Sequence, residues 1–266
     1  LASLPRSVDR RRVVRSRSYR TPIKTRILAG GIHSAKQQVV RIDRATDWPV
    51  SAAVSRAFAA GLVDAVEGFD AILLSDYGSG LVTPALARDL RRRVAPGRRP
   101  SGRSDRPRSV PILLDSRYRL RAYRGLTAST PNESEVEQAL GVPIKDDARA
   151  LEQAGRQLLR DQQMEAVLVT RGGRGMALFE PDRPTDHVPI FGSDEVADVT
   201  GAGDTVMATF GMALASGGTF ADAARLANYA GGLVVMKRGT ATVSARELAE
   251  AVTVDDDAAS ARGRHQ

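Results

Sequence analysis

The residues whose types and spacing could do chemistry concentrate in one stretch, Asp198-Val199-Thr200-Gly201-Ala202-Gly203-Asp204-Thr205. Small residues at Gly201, Ala202 and Gly203 let a backbone approach a ligand closely and aim its N–H groups at it. The run from Val206 to Ala215 has helical character. A helix starting here adds the positive end of its dipole to an anion site. Asp204 would stand at the mouth of that site, where a carboxylate suits proton handling. Together these features suit phosphoryl transfer to a hydroxyl. The plainer reading is a helix N-terminus with an Asp cap and glycines in the turn.

Further candidates lie along the chain. Phe69 to Asp76 reads as a short apolar strand with polar residues at its C-terminal end, followed by Tyr77-Gly78-Ser79-Gly80. Ligands gather beyond strand C-termini in parallel α/β sheets, which makes Asp76 a candidate. Pro131-Asn132-Glu133-Ser134-Glu135 opens an acidic helix. Asn132 and Glu135, three apart, meet at its first turn and could organise a hydrated Mg²⁺; Glu133 and Glu135 also simply complement the helix dipole. Ala166–Thr170 reads as a strand running into Arg171-Gly172-Gly173-Arg174-Gly175, and Met176–Phe179 returns as its hairpin partner. Two β-prone runs, Thr21–Gly31 and Gln37–Arg44, read as another hairpin or as two strands of a small sheet. Simple alternation places Gln37, Arg41 and Asp43 on one face of the second run, a face that could bind a polyhydroxyl or phosphorylated ligand or be plain exposed surface.

These residues need elements to hold them. Val54, Phe58, Leu62 and Val66 recur every four residues and predict a helix over 51–67. Further helices are expected over 83–94, where Pro84 suits the first turn, and over 148–161, 220–237 and 245–252. Strands are expected at 110–114 and, weakly, 127–130. Residues 95–109 are basic and of low complexity, and are expected to be a disordered insertion. The Asp255-Asp256-Asp257 run onward is expected to be a disordered tail. The expected domains are a basic segment with lid-like strands (1–44), a core (45–254) and that tail (255–266).

With 266 residues and 42% hydrophobic content the chain can bury a substantial core. It contains no cysteine, which excludes disulfides, thiolate metal sites and cysteine nucleophiles. Its three histidines make no metal-ligand pattern. No apolar run is long enough to span a bilayer, and no secretory h-region opens the chain. The net charge of +8 is uneven, with 12 Lys+Arg against 2 acids in residues 1–44 and 13 against 3 in residues 88–124. These blocks carry only Tyr19, Tyr118 and Tyr123 as aromatics and no nucleic-acid motif. Solvated loops or anionic-substrate contacts therefore explain them better than nucleic-acid binding.

The order strand, Asp-turn, helix, Asn-x-x-Glu, Thr-Arg-Gly, Asp-x-Thr-Gly-Ala-Gly-Asp and a helix with Ala-Asn (Ala227-Asn228) resembles the ribokinase-like (PfkB) carbohydrate kinases over roughly residues 21–252. Within them, Gln37 to Asp43, Leu74-Ser75-Asp76-Tyr77-Gly78 and Thr130 to Glu135 are most similar to the kinase domain of heptose 7-phosphate kinases. The resemblance implies an α/β, three-layer Rossmann-like fold with a small β lid, here without its N-terminal part. It implies ATP-dependent phosphorylation of a sugar hydroxyl, C1 of D-glycero-D-manno-heptose 7-phosphate, with ATP, Mg²⁺ and K⁺ as cofactors. Asp204 would be the base and Gly201, Ala202 and Gly203 the anion hole. Asn132, Thr170, Gly172 and Asn228 would bind nucleotide. Gln37, Arg41 and Asp76 would bind the sugar phosphate. Glu135 would act on Mg²⁺ through water, and Asp198 and Thr200 on a monovalent cation. A cytoplasmic setting and a homodimer through the lid strands follow by the same analogy.

The chain departs from that pattern at Ser116-Arg117, where heptose kinases tend to carry Pro-Lys, and at the 95–109 insertion. The missing early sugar-binding segment keeps two alternatives open: another sugar kinase of this family, or an inactive nucleotide-binding fragment.

Overall fold

A computed structural model describes residues 4–15, 19–29, 37–44, 50–94, 110–192 and 198–263. Strands β1 (Ile23–Ala29) and β2 (Gln37–Arg44) form an antiparallel two-stranded sheet of their own. Lys24 pairs with Asp43 and Arg26 with Arg41, but Ile27↔Val40 is followed by Leu28↔Gln38, so Val39 is bulged. The alternation read from sequence therefore holds only from Val40 to Arg44. Strict period-2 reading cannot see a bulge, because the extra residue leaves no mark on composition.

The rest of the chain alternates between helices and strands. Helix α1 (Ala52–Ala65) leads to β3 (Ile72–Asp76), α2 (Pro84–Arg93), β4 (Ile112–Ser116) and β5 (Ala128–Ser129). Then come α3 (Glu133–Leu140), α4 (Ala148–Gln162), β6 (Ala166–Thr170), β7 (Met176–Phe179) and β8 (Asp186–Val188). Helices α5 (Ala202–Ala215), α6 (Phe220–Val235) and α7 (Ala245–Gly263) complete the chain. The strands join in sequence order β3-β4-β5-β6-β7-β8. The first four are parallel, and β7 and β8 run antiparallel to their neighbours.

Helices cover both faces of this sheet. Ile112, Leu114, Val167 and Val169 pack with Leu86, Leu90, Leu151 and Leu158 of α2 and α4. Leu113, Ala128, Ala166 and Leu168, one residue out of phase, pack with Val206, Phe210 and Ala227 of α5 and α6. Strands buried on both faces read as continuous apolar runs, as 112–114 and 166–169 do. The three layers match the α/β expectation. Local chemistry starts the helices where the sequence signals place them. Thr83 Oγ1 accepts from the Leu86 amide ahead of Pro84, and Thr219 and Asp222 make a reciprocal capping box.

Two features depart from the sequence pattern. Strand β8 went unread, because three residues with alternating polarity fall below any periodicity window. Helix α7 does not stop at Val252: it continues through Asp255 to Gly263, where a disordered tail was expected. Tyr229 Oη donates to Asp255 Oδ2 at 2.7 Å and ties that acidic turn to α6, a long-range contact that a charge run cannot announce. The 95–109 insertion lies outside the described residues.

Candidate active site

The C-terminal ends of β3, β4 and β6 and the N-termini of α3 and α5 share one edge of the sheet. Gly201 is the N-cap of α5 with φ +83° and no side-chain cap. A left-handed residue at this point favours glycine. Gly203 has ordinary helical geometry, and nothing lies within 4 Å of where a Cβ on either glycine would sit. Internal packing thus gives no reason for glycine at 203, where it weakens the helix relative to alanine. The open space beside both positions leaves room for a ligand at the helix start.

Neither acid of the motif caps α5. Asp204 lies exposed in the first turn, and Tyr77 Oη donates to its Oδ1 at 3.3 Å. Asp198 stays at the foot of the loop, where its Oδ1 accepts from the Thr200 amide at 2.8 Å and its Oδ2 from the Gly239 amide at 3.2 Å. Its own N–H donates to Val235 O. The Thr200 side chain, and then the Thr200 amide, hold the Asp198 carboxyl below the usual range. Asp198 therefore sets the loop against the end of α6, and the plainer reading of an Asp cap fails.

A residue the sequence reading passed over joins this edge. Asp115, near the end of β4, has its carboxyl pushed up to about 6 by burial, and then by the charges of Glu135 and Asp204, with Arg117 opposing. Negative charge therefore exceeds positive charge where α3, β4 and α5 meet. Among the described residues, no group of three or more His, Asp or Glu is arranged to ligate a metal directly. Asp115 and Glu135 are carboxylates at this edge, and one or two carboxylates are what a hydrated Mg²⁺ takes from a protein.

Asn132 and Glu135 meet as expected, but as a capping box. Asn132 Oδ1 accepts from the Glu135 amide, and Glu135 Oε2 accepts from the Asn132 amide, both at 2.9 Å. Asn132 also bridges to Thr170, whose amide donates to Pro131 O at 2.9 Å. Buried Glu133 receives Arg171 Nε at 3.2 Å and Arg174 Nη2 at 2.9 Å. Arg174 is also paired with Asp146. This clamp fixes the turn carrying Gly172 beside the start of α3. Its acidic and cationic members, far apart in sequence, could not be matched without the fold.

The other predicted residues are placed differently. Asp76 is buried beneath the edge. It accepts from Tyr123 Oη at 2.7 Å, the Gly78 amide at 2.9 Å, Ser116 Oγ at 3.0 Å and Arg119 Nη2 at 3.1 Å. Burial pushes its carboxyl up, and these four donors more than offset that and hold it below the usual range. Asn228 is buried in α6 and donates through Nδ2 to Pro189 O at 2.7 Å, beyond β8. Arg41 is exposed on β2 and paired with Asp43 at 2.9 Å. The side chain of Gln37 lies outside the described residues.

Lid strand β1 does reach the site. Lys24 Nζ sits over the Tyr77 ring, 5.6 Å from its centroid, and the charge of Arg26 acts on Asp198. Lys24 and Arg26 are two apart and share a face. The basic composition of 1–44 signalled cations here but not which of them turn inward.

Residues 102–247 match the family model described as pfkB family carbohydrate kinase, and the chain belongs to that family. The bifunctional protein HldE of Trichlorobacter lovleyi is 38% identical over 249 residues, covering 93% of this chain and 47% of the relative. That of Geobacter metallireducens is 42% identical over 229 residues, covering 86% and 43%. The chain thus spans less than half the length of these curated relatives. Among solved structures, Escherichia coli phosphofructokinase-2 in complex with potassium superposes with a TM-score of 0.65 at 14% identity, covering 81% of this chain and 66% of that one. Arabidopsis thaliana ribokinase complexed with ribose and ATP gives 0.57 at 20% identity, covering 72% and 58%. These likenesses show a ribokinase-like fold.

Proposed function

We propose that this chain transfers the γ-phosphoryl group of ATP to a sugar hydroxyl, namely C1 of D-glycero-D-manno-heptose 7-phosphate, giving the 1,7-bisphosphate and ADP. One observation carries the reading. A carboxylate, Asp204, stands in the first turn of a helix whose Gly201 and Gly203 face open space, as a phosphoryl cradle with an adjacent base requires. Asp204 takes the hydroxyl proton as the new O–P bond forms and the bond to the β-phosphate oxygen breaks. Such general-base help is worth roughly 10²–10⁴-fold. The N–H groups of Gly201, Ala202 and Gly203 stabilise the charge on the transferred group.

Around that centre, Asn132, Thr170, Gly172 and Asn228 are assigned to the nucleotide, the first three supported by the bridge between α3 and β6. Glu135 and Asp115 would hold hydrated Mg²⁺, which when bound neutralises phosphate charge. Asp198 and Thr200 are assigned to a monovalent cation on the family resemblance alone. Arg41 and Gln37 would reach the sugar phosphate from the lid. Asp76, satisfied by four donors of its own chain, contributes by holding the turn that shapes that pocket. We read residues 1–44 as the lid-bearing segment and 45–254 as the kinase core. Exposed Ile23, Ile27, Val40 and Ile42 on the lid strands favour pairing with a second copy. Among the described residues no helix is long and apolar enough to cross a membrane, and we place the reaction in the cytoplasm.

The test is ADP release with a panel of sugar phosphates, for the wild-type chain and Asp204→Asn. Transfer to the heptose phosphate that falls at least about 10²-fold in the variant, with ATP binding kept, is the expected outcome. Near-normal turnover by Asp204→Asn refutes the role of the base. Preference for another acceptor would refute the heptose assignment.

A further inference from the structure

Tyr77 is the residue through which the lid and the base touch. It projects from the turn after β3, which Asp76 ties down. Asp76, its neighbour, is buried under four donors. Gly78 has φ +79°, and a Cβ there would meet the Tyr118 ring at 2.9 Å. From this post the Tyr77 hydroxyl donates to Asp204 Oδ1 at 3.3 Å, and its ring lies under Lys24 Nζ. Two residues along the same face of β1, Arg26 acts on Asp198. One face of the lid strand therefore bears on both ends of the 198–204 loop.

We infer that Tyr77 is a positioning residue with two jobs, orienting Asp204 through its hydroxyl and anchoring strand β1 beside the site through its ring, resting on the kinase reading above. Its two contacts have separable jobs. The hydroxyl fixes one carboxylate oxygen, leaving the other to face the acceptor hydroxyl. The ring face attracts the Lys24 ammonium, which lies within the reach of about 6 Å that this attraction needs. That contact holds β1 beside the base.

The contacts can be cut one at a time. Tyr77→Phe keeps the ring and removes the hydroxyl, so kcat should fall about tenfold, the worth of a hydrogen bond to a charged group, with KM for the sugar phosphate nearly unchanged. Lys24→Met should raise that KM roughly 3–5-fold with kcat nearly unchanged. Tyr77→Ala should do both, and adding Lys24→Met to it should cost nothing more, since the two residues act through one contact. Additive losses in that cycle, or a Tyr77→Phe enzyme with wild-type kcat, would overturn this role of Tyr77 while leaving the kinase reading standing.

A second measurement needs no turnover. Burial and the charges of Asp204 and Asp115 hold the Tyr77 hydroxyl above the usual phenol range. In a tyrosinate absorbance titration of the five tyrosines, Asp204→Asn should move one ionisation step downward, and the shift should vanish in Tyr77→Phe. If no wild-type transfer is found with any acceptor, the kinase reading fails, and this titration still decides whether Tyr77 and Asp204 are in contact. An unmoved step refutes the contact.

Discussion

Gly203→Ala separates folding from chemistry at a single atom. Gly203 sits in the first turn of α5 in ordinary helical geometry, and a Cβ there would meet nothing within 4 Å. In the free protein the added methyl therefore costs no clash and removes backbone entropy from the unfolded chain. A mid-helix change of this kind gains about 0.5–1 kcal/mol. A first-turn position takes the lower end, so the midpoint of thermal unfolding should rise by about 1–2 °C for a domain of this size. On the proposed reading, the same methyl crowds the amide that a phosphoryl group would approach. Losing one such donor costs about 10²–10³ in kcat. Scanning calorimetry and steady-state ADP release on the same preparation read both effects. A variant that is destabilised, or that keeps kcat within about threefold of wild type, would refute the idea that Gly203 exists for ligand approach.

Two predictions concern the acids beneath the site. Asp115, raised when folded to about 6 from the ordinary aspartate value of 3.8, binds a proton more tightly in the folded state. Its destabilising contribution is absent near pH 4, grows as pH rises, and levels off above pH 6. Asp115→Asn should then gain up to about 3 kcal/mol above pH 6 and little near pH 4; a gain independent of pH in urea titrations would contradict this. Asp76 has the opposite sign: its stabilising contribution is full above the usual carboxylate range and is lost as pH falls below it. Asp76→Ala strands Arg119 and Tyr123 and should cost about 3 kcal/mol in urea midpoint analysis, the low end for a broken buried pair because Arg119 is 35% exposed.

The local chemistry of this chain was legible in one dimension. Glycines at 201 and 203 before a helical run mark the start of α5, since only the backbone is needed to make it. The apolar runs at 112–114 and 166–169 specify strands covered on both faces, because burial on both sides leaves no polar alternation. The Thr83-Pro84 and Asn132–Glu135 pairs specify helix starts through contacts three residues apart. What the sequence could not contain is which distant groups share an environment. Asp76 resembled a substrate ligand until Tyr123, Ser116 and Arg119 filled its oxygens. Asp115 looked like a strand end until Glu135 and Asp204 came within range of its charge. Tyr77 was a turn residue until the lid strand and α5 closed on either side of it. Electrostatic energy and hydrogen bonding depend on separation in space. Only the folding of the sheet brings residues 24, 77, 115 and 204 to one edge.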